Sequence, residues 1–159
     1  MSAAGQSADE AISIHASAVV VGEAGIIIRG IPGAGKSSLA LGLITAAERA
    51  AQFARLVGDD RIELRRRGGR LIARGHPLVY GMVERRGQGI VHMDYETAVV
   101  ARLVVDIQAP EEAMRYPEES KDHVMLCGIK LPRLALLKDT AAYDSAFLVL
   151  GRLAQAETI

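Results

Sequence analysis

The alternation of apolar and polar positions predicts a series of short strands, with one helix near the start and another at the end. Residues 12–21 form an apolar run typical of a strand, and the turn Gly22–Gly25 leads back into a second apolar run at residues 26–29. These two runs predict a hairpin. Beyond it, apolar residues recur at the spacing of one helix face: Ala40, Leu43, Ile44 and Ala47.

The remaining pattern adds further strands, a second hairpin and a terminal helix. Strand-like segments occupy residues 54–58, 61–66, 70–74, 90–93, 99–107, 124–126 and 130–137. Gly68-Gly69 joins two of them into a hairpin, and residues 78–83 predict a short helical turn. The acidic, proline-bounded segment 110–122 predicts an exposed loop, and residues 141–153 predict the last helix. The expected fold class is therefore α/β with a mixed central sheet.

Length and composition limit the number of domains, the partners and the cellular location that we expect. The 159 residues suffice for one domain with a substantial core, which we place at residues 12–159 after a flexible N-terminus at residues 1–11. The formal net charge is zero, which gives no reason to expect nucleic acid or a membrane surface as a partner. A single cysteine, the lack of a signal-peptide pattern and the lack of a span-length apolar stretch predict a cytoplasmic location.

One motif carries more chemical information than the rest of the chain. Residues 30–37 read G-I-P-G-A-G-K-S, which matches G-x-x-x-x-G-K-[ST] between a predicted strand and a predicted helix. There the glycines let backbone N–H groups surround a phosphate, and the helix N-terminus adds a favourable dipole. Lys36 is expected to bridge the β- and γ-phosphates of a nucleotide, and the Ser37 hydroxyl to bind Mg²⁺. The predicted nucleotide-binding residues are Gly30, Ile31, Pro32, Gly33, Ala34, Gly35, Lys36, Ser37 and Ser38.

Charged residues at two further points complete a candidate reaction site. Asp59 and Asp60 follow the apolar strand at residues 54–58, where a carboxylate would meet the phosphate edge of the sheet. One aspartate is expected to order Mg²⁺ and the other to accept a proton from a hydroxyl group. Glu84 is a candidate Mg²⁺ ligand, and Arg86 is a candidate for stabilising charge on a transferring phosphoryl group.

In order and composition, these motifs resemble the catalytic domain of bacterial HPr kinase/phosphorylase. The matching features are His15 in the first strand, the loop at residues 30–37, L-V-G-D-D at residues 56–60 and E-R-R-G-Q-G-I at residues 84–90. The last matches the family's E-x-R-G-x-G-I signature, which is more specific than the phosphate loop. The resemblance covers residues 12–136 and lacks the separate N-terminal domain of longer members, so it indicates a short form.

The resemblance implies a P-loop domain of the HPr kinase/phosphoenolpyruvate carboxykinase-like type. It implies an ATP- and Mg²⁺-dependent protein serine kinase whose partner is an HPr-like phosphocarrier protein of the sugar phosphotransferase system. Reverse phosphorolysis of the seryl phosphate, releasing pyrophosphate, would be a second activity. Homo-oligomeric assembly, in the family as a hexamer, is also implied.

Site roles are carried over by position. Asp59 is the expected proton acceptor, and His15 is expected beside it. Arg115 is expected to match a family arginine that contacts the phosphoryl group. The predicted catalytic residues are therefore Asp59, His15, Lys36, Arg86 and Arg115. The predicted Mg²⁺ ligands are Ser37, Glu84 and Asp60.

Three positions depart from the family pattern. Ile31 and Pro32 stand where the family has Asp-Ser, Ser38 replaces a common glutamate, and residues 130–133 keep only part of a Pro-Gly-Arg run linked to the reverse reaction. These departures favour kinase activity over phosphorylase activity and weaken the expectation of a hexamer. A small-molecule P-loop kinase and a nucleotide-sensing regulatory module stay open as alternatives. Nucleic-acid binding through Arg65–Arg67 is disfavoured because no aromatic residue accompanies them.

Overall fold

A computed structural model describes residues 10–109 and 122–157. Within them the chain forms strands, two α-helices and one 3₁₀ turn at Pro77–Val79. The strands are β1 (Ile12–Ile14), β2 (Ala16–Val21), β3 (Ala24–Arg29), β4 (Ala54–Gly58), β5 (Ile62–Arg67), β6 (Arg70–Gly75), β7 (Met82–Arg85), β8 (Gly89–His92), β9 (Ala98–Gln108), β10 (His123–Leu126) and β11 (Ile129–Leu137). The helices are α1 (Lys36–Arg49) and α2 (Ala142–Glu157).

The domain is built on a mixed sheet. β3, which leads into the predicted phosphate-binding loop at residues 30–37, is a central strand of this sheet. The strand order is β1-β5-β6-β9-β3-β2-β4, and β11 pairs with the second half of β9. β3 is antiparallel to β2 and parallel to β9, and β9 is parallel to β11. Three neighbouring strands therefore end at the same edge of the sheet. β7 and β8 form a separate two-stranded hairpin.

Aliphatic side chains fill a core region on each face of the sheet. On one face α1 and α2 pack against the strands, and Leu43 and Val149 are fully buried there. On the other face the β5–β6 hairpin curls over the central strands and buries Leu64 against Ile27. Burial on both faces explains the continuous Ile26–Ile28 run of β3. No helix in the described part of the chain is long and apolar enough to cross a membrane.

The structure confirms the fold class and corrects some of the predicted segments. The strand predicted at residues 12–21 is divided at His15, because β1 pairs with β5 while β2 pairs with β3. The helical turn predicted at residues 78–83 is a 3₁₀ turn at Pro77–Val79, and the second part of the prediction is wrong because Met82–Arg85 forms β7. The predicted loop at residues 110–122 lies outside the described residues except for its last position.

Candidate active site

The phosphate-binding loop follows β3 and closes on the first turn of α1. Gly35 has a φ of 102°, in the left-handed region that favours glycine. The Ala34 N–H donates to the Ile31 carbonyl at 3.0 Å, which tightens the turn. All nine predicted nucleotide-binding residues lie in this turn and at the start of α1. The motif therefore has the strand–turn–helix setting that phosphate binding requires.

Lys36 lies within the loop and is largely removed from solvent. Its Nζ donates to the carbonyl oxygens of Gly30 at 2.8 Å and Ile31 at 3.1 Å. The residue is only 7% exposed, and burying an ammonium group is costly unless hydrogen bonds compensate. The two carbonyl groups supply those bonds, so the positive charge is held at the loop.

A cleft of about 440 Å³, which we call the loop-side cleft, lies beside the loop. Its walls come from the loop, from the turn after β4 and from the β7–β8 hairpin. The predicted site residues that line it are Lys36, Ser37, Ser38, Asp60, Glu84 and Arg86. The structure therefore brings together predicted phosphate-binding, metal-binding and charge-stabilising residues that are far apart in sequence.

Asp59 accepts a hydrogen bond directly from the loop. Ser37 Oγ donates to Asp59 Oδ1 at 2.7 Å, and Ser17 Oγ donates to the same oxygen at 2.8 Å. Ser17 is fully buried in β2, so one carboxylate oxygen is held between the loop and the sheet. No hydrogen bond among the described residues engages the other oxygen, Oδ2. Ser17 was not among the predicted site residues; a hydroxyl inside an apolar strand was the available signal.

The turn after β4 reaches the loop across one intervening strand. β4 runs parallel to β3, and β2 lies between them. Asp59 therefore follows a strand that is not a direct neighbour of β3. Close packing supports this turn: a Cβ on Gly75 would lie 2.2 Å from the Val57 carbonyl oxygen, so glycine is needed where β6 approaches β4. Asp60 follows with a φ of 65° and lines the cleft.

Glu84 and Arg86 reach the same cleft from the β7–β8 hairpin. Glu84 lies opposite Ile90 in the hairpin register, and Arg86 begins the turn between the strands. Both residues are exposed to solvent. Arg85 also lines the cleft, so the hairpin contributes one negative and two positive side chains, an arrangement that suits an anionic ligand accompanied by a cation.

Two predicted catalytic residues are not joined to this cluster by the contacts described. His15 is exposed at the bend between β1 and β2. No hydrogen bond in residues 10–109 or 122–157 links it to Asp59. Arg115 lies outside the described residues, so its predicted contact with a phosphoryl group stays a prediction.

The donor set fits Mg²⁺ carried by a nucleotide. Among the described residues, no group of three or more His, Cys, Asp or Glu side chains is placed to hold a metal ion. Mg²⁺ at phosphate sites, however, takes only one or two carboxylates and keeps water and phosphate oxygens as its other ligands. Ser37, Asp60 and Glu84 present hard oxygen atoms at one cleft, which is sufficient for that mode of binding.

A charged cluster near the loop was not predicted from the sequence. Arg29 donates to Asp106 through Nε at 2.7 Å and Nη2 at 2.8 Å, and Arg133 Nε donates to the same carboxylate. Burial would raise the pKa of Asp106, but the hydrogen bonds from Arg29 and Arg133 outweigh it and lower that pKa. The cluster ties β3, β9 and β11 together at the loop-bearing edge. The one sign of it in the sequence was an aspartate inside the apolar run of β9.

Comparison with known proteins identifies the family. The sequence model of the HPr serine kinase C-terminal domain matches residues 6–136. The chain belongs to this family. The match includes the phosphate-binding loop, the Asp59–Asp60 turn and the β7–β8 hairpin, which together form the cleft.

Curated members of the family are similar over part of their length. The HPr kinase/phosphorylase of Chlorobium phaeobacteroides is 30% identical over 132 residues, which cover 77% of this chain and 37% of that protein. The HPr kinase/phosphorylase of Clostridium beijerinckii is 40% identical over 78 residues, 49% of this chain and 24% of that protein. The chain thus spans well under half the length of these relatives.

A solved structure has the same fold. The Hpr(Ser) kinase/phosphatase from Coxiella burnetii matches with a TM-score of 0.74 and 23% sequence identity, covering 92% of this chain and 99% of that one. At this identity the match concerns the fold. The mixed sheet and its helices are therefore those of an HPr kinase C-terminal domain.

Proposed function

We propose that this domain transfers the γ-phosphoryl group of ATP to a seryl hydroxyl of an HPr-like phosphocarrier protein. The observation that carries the proposal is the 2.7 Å hydrogen bond from Ser37 of the phosphate-binding loop to the Asp59 carboxylate. This bond brings a carboxylate, which could accept a proton, next to the loop that would bind phosphate. Family membership and relatives named HPr kinase/phosphorylase support the choice of acceptor.

Nucleotide binding falls to the loop and its lysine. Lys36 would exchange its hydrogen bonds to the Gly30 and Ile31 carbonyls for bonds to phosphate oxygens. Bound Mg²⁺ would neutralise phosphate charge. The residues that would hold it are Ser37, Asp60 and Glu84.

Asp59 would accept the proton during transfer. The seryl oxygen forms a bond to the γ-phosphorus while the bond from that phosphorus to the bridging oxygen of ADP breaks, and the seryl proton passes to Asp59. Because Oδ1 already accepts from Ser17 and Ser37, Oδ2 is the oxygen that would receive the proton. Arg86 would stabilise negative charge on the phosphoryl oxygens from across the cleft.

The reverse reaction would be the weaker activity. Inorganic phosphate would take the phosphoryl group from the seryl phosphate, giving pyrophosphate, and Asp59 would return the proton to the seryl oxygen. Arg133 is the part of the family's Pro-Gly-Arg run that this chain retains, and it binds Asp106. It is not among the residues that line the loop-side cleft, which supports a reduced role in phosphorolysis.

Replacing Asp59 by Asn tests the proposal. Asn keeps an oxygen that accepts both hydroxyl hydrogen bonds but lacks a basic carboxylate. We expect transfer to fall by about 10²–10⁴-fold, with the ATP dissociation constant changed less than about threefold. The assay follows label from γ-labelled ATP onto serine of the HPr-type carrier, and calorimetry measures ATP binding. Asp60→Asn is the matched control and should mainly raise the Mg²⁺ concentration needed for activity.

Two outcomes would contradict different parts of this proposal. Near-normal transfer by the Asp59→Asn protein would remove Asp59 from the role of base. Tight ATP binding by the unmodified protein without label on any carrier would favour a small-molecule acceptor or a nucleotide-sensing module.

A further inference from the structure

A second cleft opens on the side of the phosphate-binding loop away from Asp60 and Glu84. It has a volume of about 320 Å³ and lies between the start of α1, the ends of β9 and β11, and the start of α2. That volume is at the lower end of the range for small-molecule sites, about 300–1,000 Å³. We call it the β11–α2 cleft.

The β11–α2 cleft adjoins the loop-side cleft along the loop. Gly33, Gly35 and Ser38 line both of them. A phosphate chain lying along the loop would therefore have one end at the acidic residues and the other at the mouth of the β11–α2 cleft. Whatever is attached to the α-phosphate would enter this second space.

Aliphatic side chains make up half of the residues that line the β11–α2 cleft. Ala34, Leu39 and Leu136 line it and are buried, at 7%, 3% and 5% exposure. Ile107 adds a partly buried side chain. A cleft with both aliphatic and polar lining residues suits a flat heterocycle, because the faces of the ring are apolar and its edge is polar.

Polar groups occupy the rim and floor. Asp139 and Thr140 lie at the rim, in the turn between β11 and α2, and Ser145 is a buried hydroxyl residue of α2. Two hydrogen bonds hold the turn: Thr140 Oγ1 donates to the Leu137 carbonyl at 2.9 Å, and the Lys138 N–H donates to the Gln108 carbonyl at 2.7 Å. The exposed Asp139 carboxylate at the rim can accept hydrogen bonds from ring N–H, amino or ribose hydroxyl groups.

We propose that the β11–α2 cleft is the subsite for the purine nucleoside of the nucleotide. The inference rests on the proposed function, because it needs the loop to hold the phosphates of a nucleoside triphosphate. It adds the residues that would recognise the base, which the loop motif does not specify. Leu39, Ile107 and Leu136 pack against the ring faces, and Asp139 and Ser145 meet its polar edge or the ribose.

The affinities of the protein for ATP and for inorganic tripolyphosphate distinguish the contribution of the nucleoside to binding from that of the phosphates. Ser145→Leu reduces the depth of the cleft. We expect it to weaken ATP binding at least about tenfold, with tripolyphosphate affinity changed less than about twofold. Gln155→Leu, on the exposed side of the same helix, is the matched control and should change neither affinity. Calorimetry with each ligand measures both, and thermal unfolding checks that each variant is folded.

The outcomes distinguish this inference from the proposed function. Unchanged ATP affinity in a folded Ser145→Leu protein would overturn the subsite. Equal affinity of the unmodified protein for ATP and tripolyphosphate would also overturn it, because the base would then contribute nothing. Failure of the unmodified protein to bind either ligand would overturn the proposed function itself.

Photolabelling provides a test that needs no variant. The unmodified protein is irradiated with 8-azido-ATP in the presence of Mg²⁺, digested and mapped by mass spectrometry. We expect the label within residues 136–145, and excess ATP should prevent it. Competable labelling confined to the β7–β8 hairpin or to β1 would place the base elsewhere and overturn the proposal.

Discussion

Asp59 owes its orientation to two hydroxyl groups from different parts of the chain. Ser37 belongs to the phosphate-binding loop and Ser17 to the interior of the sheet, and both donate to Oδ1. Ser17 also accepts a hydrogen bond from the Asp60 N–H at 3.5 Å. A fully buried hydroxyl needs such partners, so Ser17 and the Asp59–Asp60 turn hold each other in place. Ser17 is therefore a positioning residue for the proposed base.

Ser17→Ala is expected to lower kcat for phosphoryl transfer about tenfold, with KM for ATP unchanged. The reason is that the carboxylate loses one of its two fixed hydrogen bonds while the phosphate-binding loop stays intact. Ser17→Thr keeps the hydroxyl and should restore part of the rate. In an Asp59→Asn background, loss of Ser17 should have little further effect, since the two residues act as a unit. An equal fall in both backgrounds would leave Ser17 with a purely structural role.

The sequence located Asp59 but not the residues that support it. Asp59 closes an apolar run close to a recognisable loop motif, so its position alone made it a candidate. Ser17 and Asp106 lie inside strands, and their roles depend on which side chains the sheet places beside them. The partner of Ser17 is 42 positions away, and the partners of Asp106, Arg29 and Arg133, are 77 and 27 positions away. A single sequence does not specify pairs at such separations.

Helix α1 has a residue in the left-handed conformation next to each of its ends. It begins after Gly35 in the left-handed region and ends before Ala51, which has a φ of 57°. The Gln52 N–H donates to the Ala47 carbonyl at 2.9 Å, and the Ala51 N–H donates to Glu48 at 3.0 Å. These two bonds form a Schellman motif, in which glycine is the usual residue at the left-handed position. An alanine there is strained.

Ala51→Gly is expected to raise the free energy of unfolding by about 0.5–1 kcal/mol, because glycine adopts the left-handed conformation without a steric penalty. Ala50→Gly, one position earlier at a φ of −90°, is the matched control. It should lower stability, since glycine there only adds freedom to the unfolded chain. Urea unfolding measures both. A less stable Ala51→Gly protein would show that unfolded-state entropy outweighs the strain.

Hairpins and helices with strong local patterns were predicted correctly, and the β7 region was not. Residues 78–83 contain apolar residues that suit a helical turn. In the structure, Gly81 has a φ of 70°, and a Cβ there would lie 2.6 Å from the Met93 carbonyl. β7 instead pairs with β8. The close approach that requires glycine is a tertiary contact, which local periodicity does not contain.

For the whole molecule, the Asp106 cluster joins the parallel strands that carry the site. One carboxylate, 9% exposed, binds arginines from β3 and β11. Removing a partner from such a buried pair costs more than forming it contributes, because a charge is left uncompensated. The cluster therefore makes the loop-bearing edge of the sheet sensitive to the protonation of a single aspartate.

Asp106→Asn is expected to lower the free energy of unfolding at neutral pH by about 3 kcal/mol. In the unmodified protein the pKa of Asp106 is lowered from 3.8. Its contribution is therefore complete above that value and lost as pH falls through the folded-state pKa. The variant should lose less stability on acidification below about pH 4. Urea unfolding across pH measures this, and parallel pH profiles for the two proteins would contradict it.

Local patterns in the sequence do not predict the order of the strands in the sheet. Most strands were located correctly, and both predicted hairpins formed, because each depends on a local turn. The insertion of β3 between β2 and β9, and the separation of β1 from β2, depend on pairings between distant segments. The position of Asp59 follows from that order, because the end of β4 lies one strand away from β3.

The parallel pairing of β3 with β9 also has a consequence for synthesis of the chain. Arg29 at the end of β3 meets Asp106 of β9, 77 positions further along. A growing polypeptide therefore exposes the entire glycine-rich motif long before the strand that supports it on one side has left the ribosome. Closing a loop of that length is entropically costly and slow. The proposed nucleotide-binding site is thus completed late, and a fragment that ends before β9 would carry the motif without the site.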